Sequence, residues 1–345
     1  MGDSASVPKT VDEALSPAWL SVALGRPVVA VEQVEFIRTV ATKIRFKVTH
    51  ADGSTRALCI KGLLDADEMT AKGGSTMVRE ADFYGEIAGH VDVRVPTLAV
   101  NVIDRQGSQA VVLMNDLIAE GATFCSALDP FTAQECAASL DQLARLHAGR
   151  ALLATRPWIT RRVSELANSG YVTADGLQQL LDGKRGDPLP AAVRDGARLI
   201  AAVKALDARD RERPQFLVHG DAHAGNIFRF GAGHAKAGPG LIDWQLLQSG
   251  GWALDVAYHI AAVLPVATAE REERALLAHY LETMRGLGVE MPDAEAAWAQ
   301  YREAPAYGYY LWGITRRVDP PIIETFVPRL GLAVARHDSF ALLGV

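Results

Sequence analysis

The sequence predicts an α+β fold of two lobes: an antiparallel sheet with one main helix, followed by a larger and mostly helical lobe. The chain has 345 residues, of which 49% are apolar, so it can build two packed cores. β-Branched residues are frequent up to about residue 61, whereas apolar residues follow a helical spacing from Thr132 onwards. We place the lobes at residues 1–117 and 118–345.

Two helices are predicted in the first lobe. In the stretch SPAWLSVALG, Ser16 is a typical N-cap and Gly25 a typical helix end. The stretch STMVREADFYGEIAG predicts the main helix of this lobe, with Ser75 or Thr76 as its N-cap and Gly89 as its end.

The clearest local pattern is a β-hairpin in the stretch KIRFKVTHADGSTRALCIKG. Ile44, Phe46 and Val48 alternate with polar residues, as a sheet with one buried face requires. The turn at 51–54 contains Asp-Gly, which suits a tight connection between strands. The stretches TLAVNVID and QAVVLMNDL predict a second pair of strands in the same lobe.

The second lobe begins with the helical pattern TAQECAASLDQLARLHAGR, and residues 155–213 are also helical apart from the polar stretch LDGKRGDPLP. Short strands are predicted at PQFLV, NIFRF and GLIDW. The apolar stretch that starts at Trp252 is interrupted by Asp255 and His259 and broken by Pro265, so it predicts a buried helix rather than a membrane span.

Composition limits the possible partners. Acidic residues outnumber basic residues by 41 to 35 without long runs of one sign, which argues against binding to nucleic acid. The three cysteines show no pairing pattern, and the first residues, MGDSASVPKT, do not resemble a secretory signal. We therefore expect a cytoplasmic monomer or homodimer that acts on a small molecule and binds neither nucleic acid nor a membrane.

The stretch HGDAHAGNIF carries the most distinctive polar pattern. His219, Asp221 and His223 alternate, so on a strand they would share one face like the ligands of a metal. Gly220 and Gly225 instead favour a tight irregular loop. A metal-dependent hydrolase that uses the three alternating residues is the alternative under the strand interpretation.

Three oxygen-bearing side chains support the loop interpretation. Asp221 and Asn226 lie in the loop, and Asp243 follows the second of the next two short strands. Carboxylate and amide oxygens are the ligands that Mg²⁺ with a nucleotide prefers, whereas zinc prefers nitrogen and sulfur.

Asp221 is followed after four residues by Asn226, and then by a pair of strands and a second aspartate, Asp243. This order resembles the catalytic segment of protein kinases. The HGD form resembles the aminoglycoside phosphotransferase and choline kinase family, and the E-x-x-F-Y of MVREADFYGEIA is similar to ecdysteroid-kinase-like bacterial phosphotransferases. The resemblance extends from about Val34 to Trp312 and implies a bilobal protein-kinase-like fold. It also implies ATP, with GTP as an alternative, and Mg²⁺ as cofactors.

The resemblance implies a nucleotide site in the first lobe. ALCIKG resembles the strand that presents the nucleotide lysine, which gives Lys61, and the following helix supplies Glu80 as its ion-pair partner. VVLMNDL resembles the strand and hinge that join the lobes, where Met114 and Asp116 would contact the nucleotide.

In the second lobe, the resemblance makes Asp221 the catalytic residue that accepts or orients the proton of an acceptor hydroxyl. Asn226 and Asp243 would hold Mg²⁺. His219 would shape the loop by hydrogen bonds, and Asp255 would brace it. The expected activity is an ATP- and Mg²⁺-dependent phosphotransfer to a hydroxyl group of a small molecule.

One family feature is missing, because the sequence has no glycine between Gly25 and Gly53 where a glycine-rich phosphate loop is expected. Thr39, Ala41 and Thr42 would have to supply backbone or hydroxyl donors to the phosphates. The missing glycines also motivate a third hypothesis, a catalytically weak pseudokinase that binds nucleotide without turnover.

The acceptor site is expected near the late aromatic stretch YREAPAYGYYLWGITRRV. Tyr307 and Tyr310 fall on one helical face, which indicates either core packing or a wall of the acceptor site. Together with His223 they are the possible substrate contacts, although His223 could instead bond the backbone. Arg316 and Arg317 follow and no acidic tail is present, so a neutral or apolar alcohol or phenol is expected rather than a polycation.

Overall fold

The computed structural model describes residues 5–38 and 41–345 and confirms the α+β fold. Its first lobe is built on a five-stranded antiparallel sheet in the order β1-β2-β3-β5-β4. The strands of this sheet are β1 Val28–Arg38, β2 Thr42–His50, β3 Thr55–Gly62, β4 Leu98–Asp104 and β5 Gln109–Asn115. The helices of the first lobe are α1 Val11–Ala14, α2 Pro17–Leu24, α3 Glu68–Ala71 and α4 Gly74–Asp82.

The predicted hairpin is confirmed as β2 and β3, joined by the turn at 51–54. Ile44, Phe46 and Val48 are fully buried in the core behind the sheet, which also contains residues of α2. In this register Lys43 lies directly opposite Lys61. Because side chains alternate between the faces of a strand, both lysines lie on the other face, toward the second lobe.

Helix α4 starts differently from the prediction. The prediction of Ser75 or Thr76 as N-cap is wrong, because the helix already begins at Gly74 and the preceding residue, Gly73, makes no side-chain capping bond. The Thr76 hydroxyl donates to the Gly73 carbonyl oxygen at 2.7 Å instead. A Cβ atom at Gly74 would lie only 1.9 Å from the carbonyl oxygen of Ser108, so close packing against the β4–β5 turn requires glycine there.

The second lobe consists mainly of helices. They are α5 Ala133–Ala148, α6 Arg162–Asn168, α7 Ala174–Leu181, α8 Gly196–Arg211, α9 Ala253–Val263, α10 Val266–Gly286, α11 Ala294–Glu303, α12 Pro305–Ile314, α13 Pro320–His337 and α14 Ser339–Leu343. All residues of α9 and of α12 are buried, so both helices lie in the centre of this lobe. Among the described residues, no helix is long and apolar enough to cross a membrane.

Five short strands complete the second lobe. They are β6 Ala122–Phe124, β7 Phe216–Val218, β8 Ile227–Phe230, β9 Gly238–Leu241 and β10 Gln248–Gly250. Strand β7 pairs with β10, and β8 lies between β6 and β9. The backbone N–H of Ile242 donates to the carbonyl oxygen of Asn226 at 3.0 Å. This pairing brings the loop at 219–226, here called the HGD loop, beside Asp243.

Candidate active site

Three charged side chains from distant parts of the chain meet between the lobes. The Lys61 ammonium on β3 lies 2.6 Å from a carboxylate oxygen of Glu80 on α4. It also lies 3.0 Å from a carboxylate oxygen of Asp243 in the second lobe. The site predicted from residues 61 to 243 is therefore brought together in space.

Within this cluster, Lys61 and Asp243 stabilise each other's charge. Burial alone would lower the pKa of Lys61, but the carboxylates of Asp243 and Glu80 outweigh it and raise that pKa. Burial alone would raise the pKa of Asp243, but Lys61 and Lys43 lower it below its ordinary value. Lys61 and Asp243 are thus both charged at neutral pH.

Asp243 is held in place by the residues that follow it. Its backbone lies in the left-handed region with φ 65°, where non-glycine residues are uncommon and often functional. The ring of Trp244 stacks on Phe83, with centroids 3.6 Å apart and an interplanar angle of 11°. Gln245 contacts the sulfur of Met77 on α4 at 3.0 Å. The segment after Asp243 is therefore docked on the helix that carries Glu80.

The HGD loop is braced by Asp255, which lies on α9 and is fully buried. Its carboxylate accepts hydrogen bonds from the backbone N–H groups of His219 at 2.7 Å and Gly220 at 2.8 Å. The imidazole Nε2 of His147 lies 3.1 Å from the same carboxylate, and its Nδ1 lies 2.7 Å from the Tyr280 hydroxyl. These contacts fix the loop to α9 and α5.

His219 is fully buried, and both of its ring nitrogens are engaged within the protein. Nε2 donates to the carbonyl oxygen of Ile242 at 3.0 Å, while Nδ1 accepts from the backbone N–H of Asp221 at 3.2 Å. Within the described ranges, no group of three or more His, Cys, Asp and Glu side chains is arranged to hold a metal ion. The geometry therefore gives no support to the alternative of a hydrolase with His219 and His223 as metal ligands.

The Asp221 side chain is partly exposed, and its carboxylate is held from two directions. Tyr258 donates from its hydroxyl to one carboxylate oxygen at 2.9 Å, and Asn226 donates from its amide nitrogen to the other at 3.1 Å. Burial alone would raise the pKa of Asp221, but the neighbouring His223 lowers it, so the carboxylate is ionised at neutral pH.

Aromatic side chains line the loop next to Asp221. The indole N–H of Trp312 donates to the Tyr258 hydroxyl at 2.5 Å. The His223 ring lies 5.1 Å from the Trp312 ring and 5.2 Å from the Phe326 ring, measured between centroids. His223 also accepts a hydrogen bond from the backbone N–H of Gly225 at 3.0 Å, which supports the local turn.

The expected phosphate donors are not provided by Thr42. Its side chain is buried, and its hydroxyl donates to the carbonyl oxygen of Leu64 at 3.0 Å. The prediction of a hydroxyl donor at Thr42 is therefore wrong, because this hydroxyl is already bonded inside the sheet edge, whereas a contact through the backbone stays a prediction. Thr39, the other predicted hydroxyl donor, lies outside the described residues.

The two predicted hinge residues differ in their surroundings. Met114 is 8% exposed and packs in the core that faces the second lobe, on the same side as the ion-pair cluster. Asp116 is buried, and both of its carboxylate oxygens accept from the Arg45 guanidinium at 3.0 Å. One of them also accepts from the backbone N–H of Ile118 at 3.0 Å. The nucleotide contact predicted for Asp116 is corrected to a role in holding the hinge.

Tyr307 and Tyr310 do not form a wall of an open site. The Tyr307 side chain is fully buried, and its hydroxyl donates to the carbonyl oxygen of Gly220 at 2.7 Å and accepts from Gln248 at 2.8 Å. Tyr310 is only 3% exposed and belongs to the main core. Their prediction as substrate contacts is corrected to core packing, with Tyr307 as a support of the HGD loop.

Sequence reasoning missed three residues of the site. Lys43 is partly exposed, and its ammonium lies 3.9 Å from a carboxylate oxygen of Asp243. Tyr258 and Trp312 form the hydrogen-bonded chain that ends at Asp221. The sequence did contain a signal for Tyr258, because this residue follows Asp255 by three positions and therefore lies on the same face of the helix.

His259 gives a prediction for the pH dependence of stability. Its Nδ1 lies 2.8 Å from the carbonyl oxygen of Ala222 in the HGD loop, and burial lowers its pKa to about 4. Between pH 6.5 and 4 the unfolded chain binds more protons than the folded chain, so acidification through this window lowers the free energy of unfolding. We expect His259→Asn to reduce this pH dependence by up to about 1.4 kcal/mol per pH unit. Urea unfolding at several pH values measures it, and equal slopes in both proteins would contradict the role of His259.

Comparison with known sequences and structures identifies similar proteins. The profile of the phosphotransferase enzyme family matches residues 74–302. A comparison with curated proteins finds no match to the sequence.

Two solved structures resemble this one over most of their length. The ethanolamine kinase of Plasmodium vivax is 16% identical in sequence and has a TM-score of 0.51. The aligned region includes 91% of this chain and 87% of the ethanolamine kinase chain. The choline kinase of Cryptosporidium parvum is 8% identical in sequence and has a TM-score of 0.50. The aligned region includes 96% of this chain and 93% of the choline kinase chain. At such low identity the similarity concerns the fold, and it confirms the predicted protein-kinase-like fold.

Proposed function

The chain belongs to the phosphotransferase enzyme family, and from this premise we propose that it is an ATP- and Mg²⁺-dependent kinase acting on a hydroxyl group of a neutral or apolar small molecule. The observation that carries the proposal is the 3.0 Å contact between Lys61 and Asp243, which joins the two lobes at one point. Phosphoryl transfer depends mainly on positioning and charge neutralisation, and this contact brings a cation and a carboxylate to the same groove.

The residues beside the HGD loop fit a magnesium ion. Mg²⁺ is usually bound by one or two carboxylates together with substrate phosphates and waters. Asp243 offers an ionised carboxylate, and the amide nitrogen of Asn226 is committed to Asp221, so its amide oxygen is the atom available to a cation. A bound Mg²⁺ would neutralise charge on the phosphate oxygens.

Each protein side chain then has a defined task. Lys61 holds the phosphates of the nucleotide and is oriented by its ion pair with Glu80. Asp221 accepts or orients the proton of the acceptor hydroxyl, and its carboxylate is kept in place by Tyr258 and Asn226. Asp255 acts at a distance, because it holds the backbone of the HGD loop and touches no reacting atom.

The surroundings of Asp221 favour a neutral or apolar acceptor. Next to Asp221, the ring of His223 packs against the buried rings of Trp312 and Phe326, so the neighbourhood of Asp221 on this side is aromatic and carries no further carboxylate among these side chains. Sites for polycations need several carboxylates, since attraction between opposite charges provides most of the binding. Arg316 and Arg317 follow the helix of Trp312, which supports an alcohol or phenol as the acceptor rather than an aminoglycoside.

A screen for nucleotide-dependent phosphorylation tests the proposal. The purified protein is incubated with Mg²⁺ and either ATP or GTP, and release of nucleoside diphosphate is measured with different acceptors. The acceptors are alcohols, phenols, macrolides, aminoglycosides, choline and ethanolamine. We expect the highest kcat/KM with ATP and a neutral alcohol or phenol.

Other outcomes of this screen would contradict the proposal. Highest activity with an aminoglycoside or with choline would overturn the acceptor class but not the phosphotransfer. Nucleotide binding without turnover of any acceptor would favour the pseudokinase hypothesis. Stoichiometric zinc in the purified protein, together with no nucleotide binding, would favour the hydrolase.

A further inference from the structure

We propose that Lys43 is a second phosphate-binding cation of the nucleotide site, and that its side chain replaces the donors that a glycine-rich loop would provide. The inference rests on the proposed function, since it concerns how the same site holds the nucleotide. It identifies a residue that the sequence pattern had not indicated.

The position of Lys43 is fixed by the hairpin. It lies directly opposite Lys61 in the β2–β3 ladder, where the Cβ atoms of paired residues are about 4.5–5.5 Å apart. Its side chain is 28% exposed, and its ammonium lies 3.9 Å from the carboxylate of Asp243. Two lysines therefore reach toward the same carboxylate from neighbouring strands.

The charges around Lys43 are incompletely balanced. Lys61 has Glu80 at 2.6 Å in addition to Asp243. Within the described ranges, the ion pair that Lys43 makes is the 3.9 Å contact with Asp243, which is longer than a direct hydrogen bond. Like charges directly opposite each other destabilise a sheet. An anionic group bound beside Asp243 would relieve this repulsion, and a polyphosphate has the required charge.

The Thr42 hydroxyl and the backbone groups of Lys43 already have partners within the protein. The strand at Lys43 is paired on both sides, with Ile37 of β1 and Lys61 of β3, so its backbone groups belong to the sheet. The Thr42 hydroxyl donates to the carbonyl oxygen of Leu64. Of Thr42 and Lys43, it is therefore the side chain of Lys43 that can still reach a phosphate.

Lys47 shows what an ordinary lysine of this strand looks like. It lies on the same strand and the same face as Lys43, since the two residues are four positions apart. It is exposed, whereas Lys43 is partly buried beside the ion-pair cluster. Lys47 is thus a matched control for the loss of one positive charge from β2.

Equilibrium binding of nucleotides tests the inference. Binding of ATP, ADP, AMP and adenosine is measured by calorimetry in the presence of Mg²⁺ for wild type, Lys43→Met and Lys47→Met. A hydrogen bond to a charged group contributes enough that its loss weakens binding about 10- to 100-fold. We expect Lys43→Met to weaken ATP binding by this factor and to leave adenosine binding within about twofold of wild type. We expect Lys47→Met to change the binding of neither ATP nor adenosine.

The stability of the free protein provides a second readout. Because Lys43→Met removes the repulsion with Lys61, we expect it to leave the melting temperature of the nucleotide-free protein unchanged or raise it. A purely structural role of Lys43 would lower the melting temperature and weaken ATP and adenosine equally.

The outcomes separate this inference from the proposed function. Equal ATP affinity of wild type and Lys43→Met would overturn the role of Lys43 and leave the kinase proposal standing. Equal weakening of ATP and adenosine would also overturn it. Failure of the wild-type protein to bind any nucleotide would refute the proposed function and this inference with it.

Discussion

Asp221→Asn is expected to lower the rate of phosphoryl transfer by about 10²- to 10⁴-fold, which is the usual contribution of a well-placed general base. Asparagine keeps the shape of the side chain but cannot take up the proton of the acceptor hydroxyl. Because the proposed role of Asp221 is toward the acceptor hydroxyl, and Lys61 and Asp243 are left unchanged, the affinity for MgATP is expected to stay within about threefold of wild type. Steady-state kinetics give the rate and calorimetry gives the affinity.

The comparison of rate and affinity in one variant controls for misfolding of the HGD loop. Asn226 and Tyr258 donate to Asp221, so a collapsed loop would disturb the metal position and weaken MgATP binding together with the rate. A normal affinity with a normal rate would show that Asp221 is not the catalytic residue.

Asp243→Asn is expected to reduce turnover by about 10³-fold or more, because charge stabilisation by a bound metal contributes several kcal/mol to the transition state. Asparagine tolerates the left-handed backbone of this position better than alanine does, so the change tests the charge and not the conformation. In contrast to Asp221→Asn, this variant should also lose the Mg²⁺ dependence of nucleotide binding. Titration of MgATP, and of ATP with EDTA, measures this difference.

Asp338→Asn is the matched control for Asp243→Asn. Asp338 also has a left-handed backbone, with φ 51°, but it is exposed and lies between α13 and α14. We expect the control variant to have wild-type kinetics. Turnover near the wild-type rate in Asp243→Asn would refute the metal-ligand role of Asp243.

Much of the site could be predicted because its residues are recognisable in order along the chain. Lys61 lies near the end of a strand, directly after an apolar run, and Asp221 and Asn226 lie in a loop that Gly220 makes possible. A Cβ at Gly220 would come within 2.4 Å of the carbonyl oxygen of Leu246, so the glycine indicated a real constraint of the backbone.

Three of the corrected predictions concern polar groups of the site whose partners lie far away in the sequence. The Thr42 hydroxyl is bonded 22 positions away, the Asp116 carboxylate 71 positions away and the Tyr307 hydroxyl 87 positions away. Local patterns do not contain these partners, because they depend on how the lobes and helices pack. A polar side chain at the expected position can therefore be hydrogen-bonded within the protein and not be available to a ligand.

Lys43 is a different case, because the sequence did contain the necessary information. The turn at 51–54 fixes the register of the hairpin, and this register pairs Lys43 with Lys61. Applying the pairing to every residue of the hairpin would have identified the second lysine beside the predicted nucleotide site.

The central claim is that Lys61, Asp243 and Asn226 converge on one nucleotide and one metal ion between the lobes. A crystal structure with Mn²⁺ and a non-hydrolysable ATP analogue tests it most directly, because anomalous scattering locates the metal without reference to the protein. We predict a manganese peak between the Asp243 carboxylate and the Asn226 amide oxygen, with phosphate oxygens bonded to the Lys61 ammonium. A nucleotide bound elsewhere, or a metal peak that neither Asp243 nor Asn226 ligates, would contradict the claim.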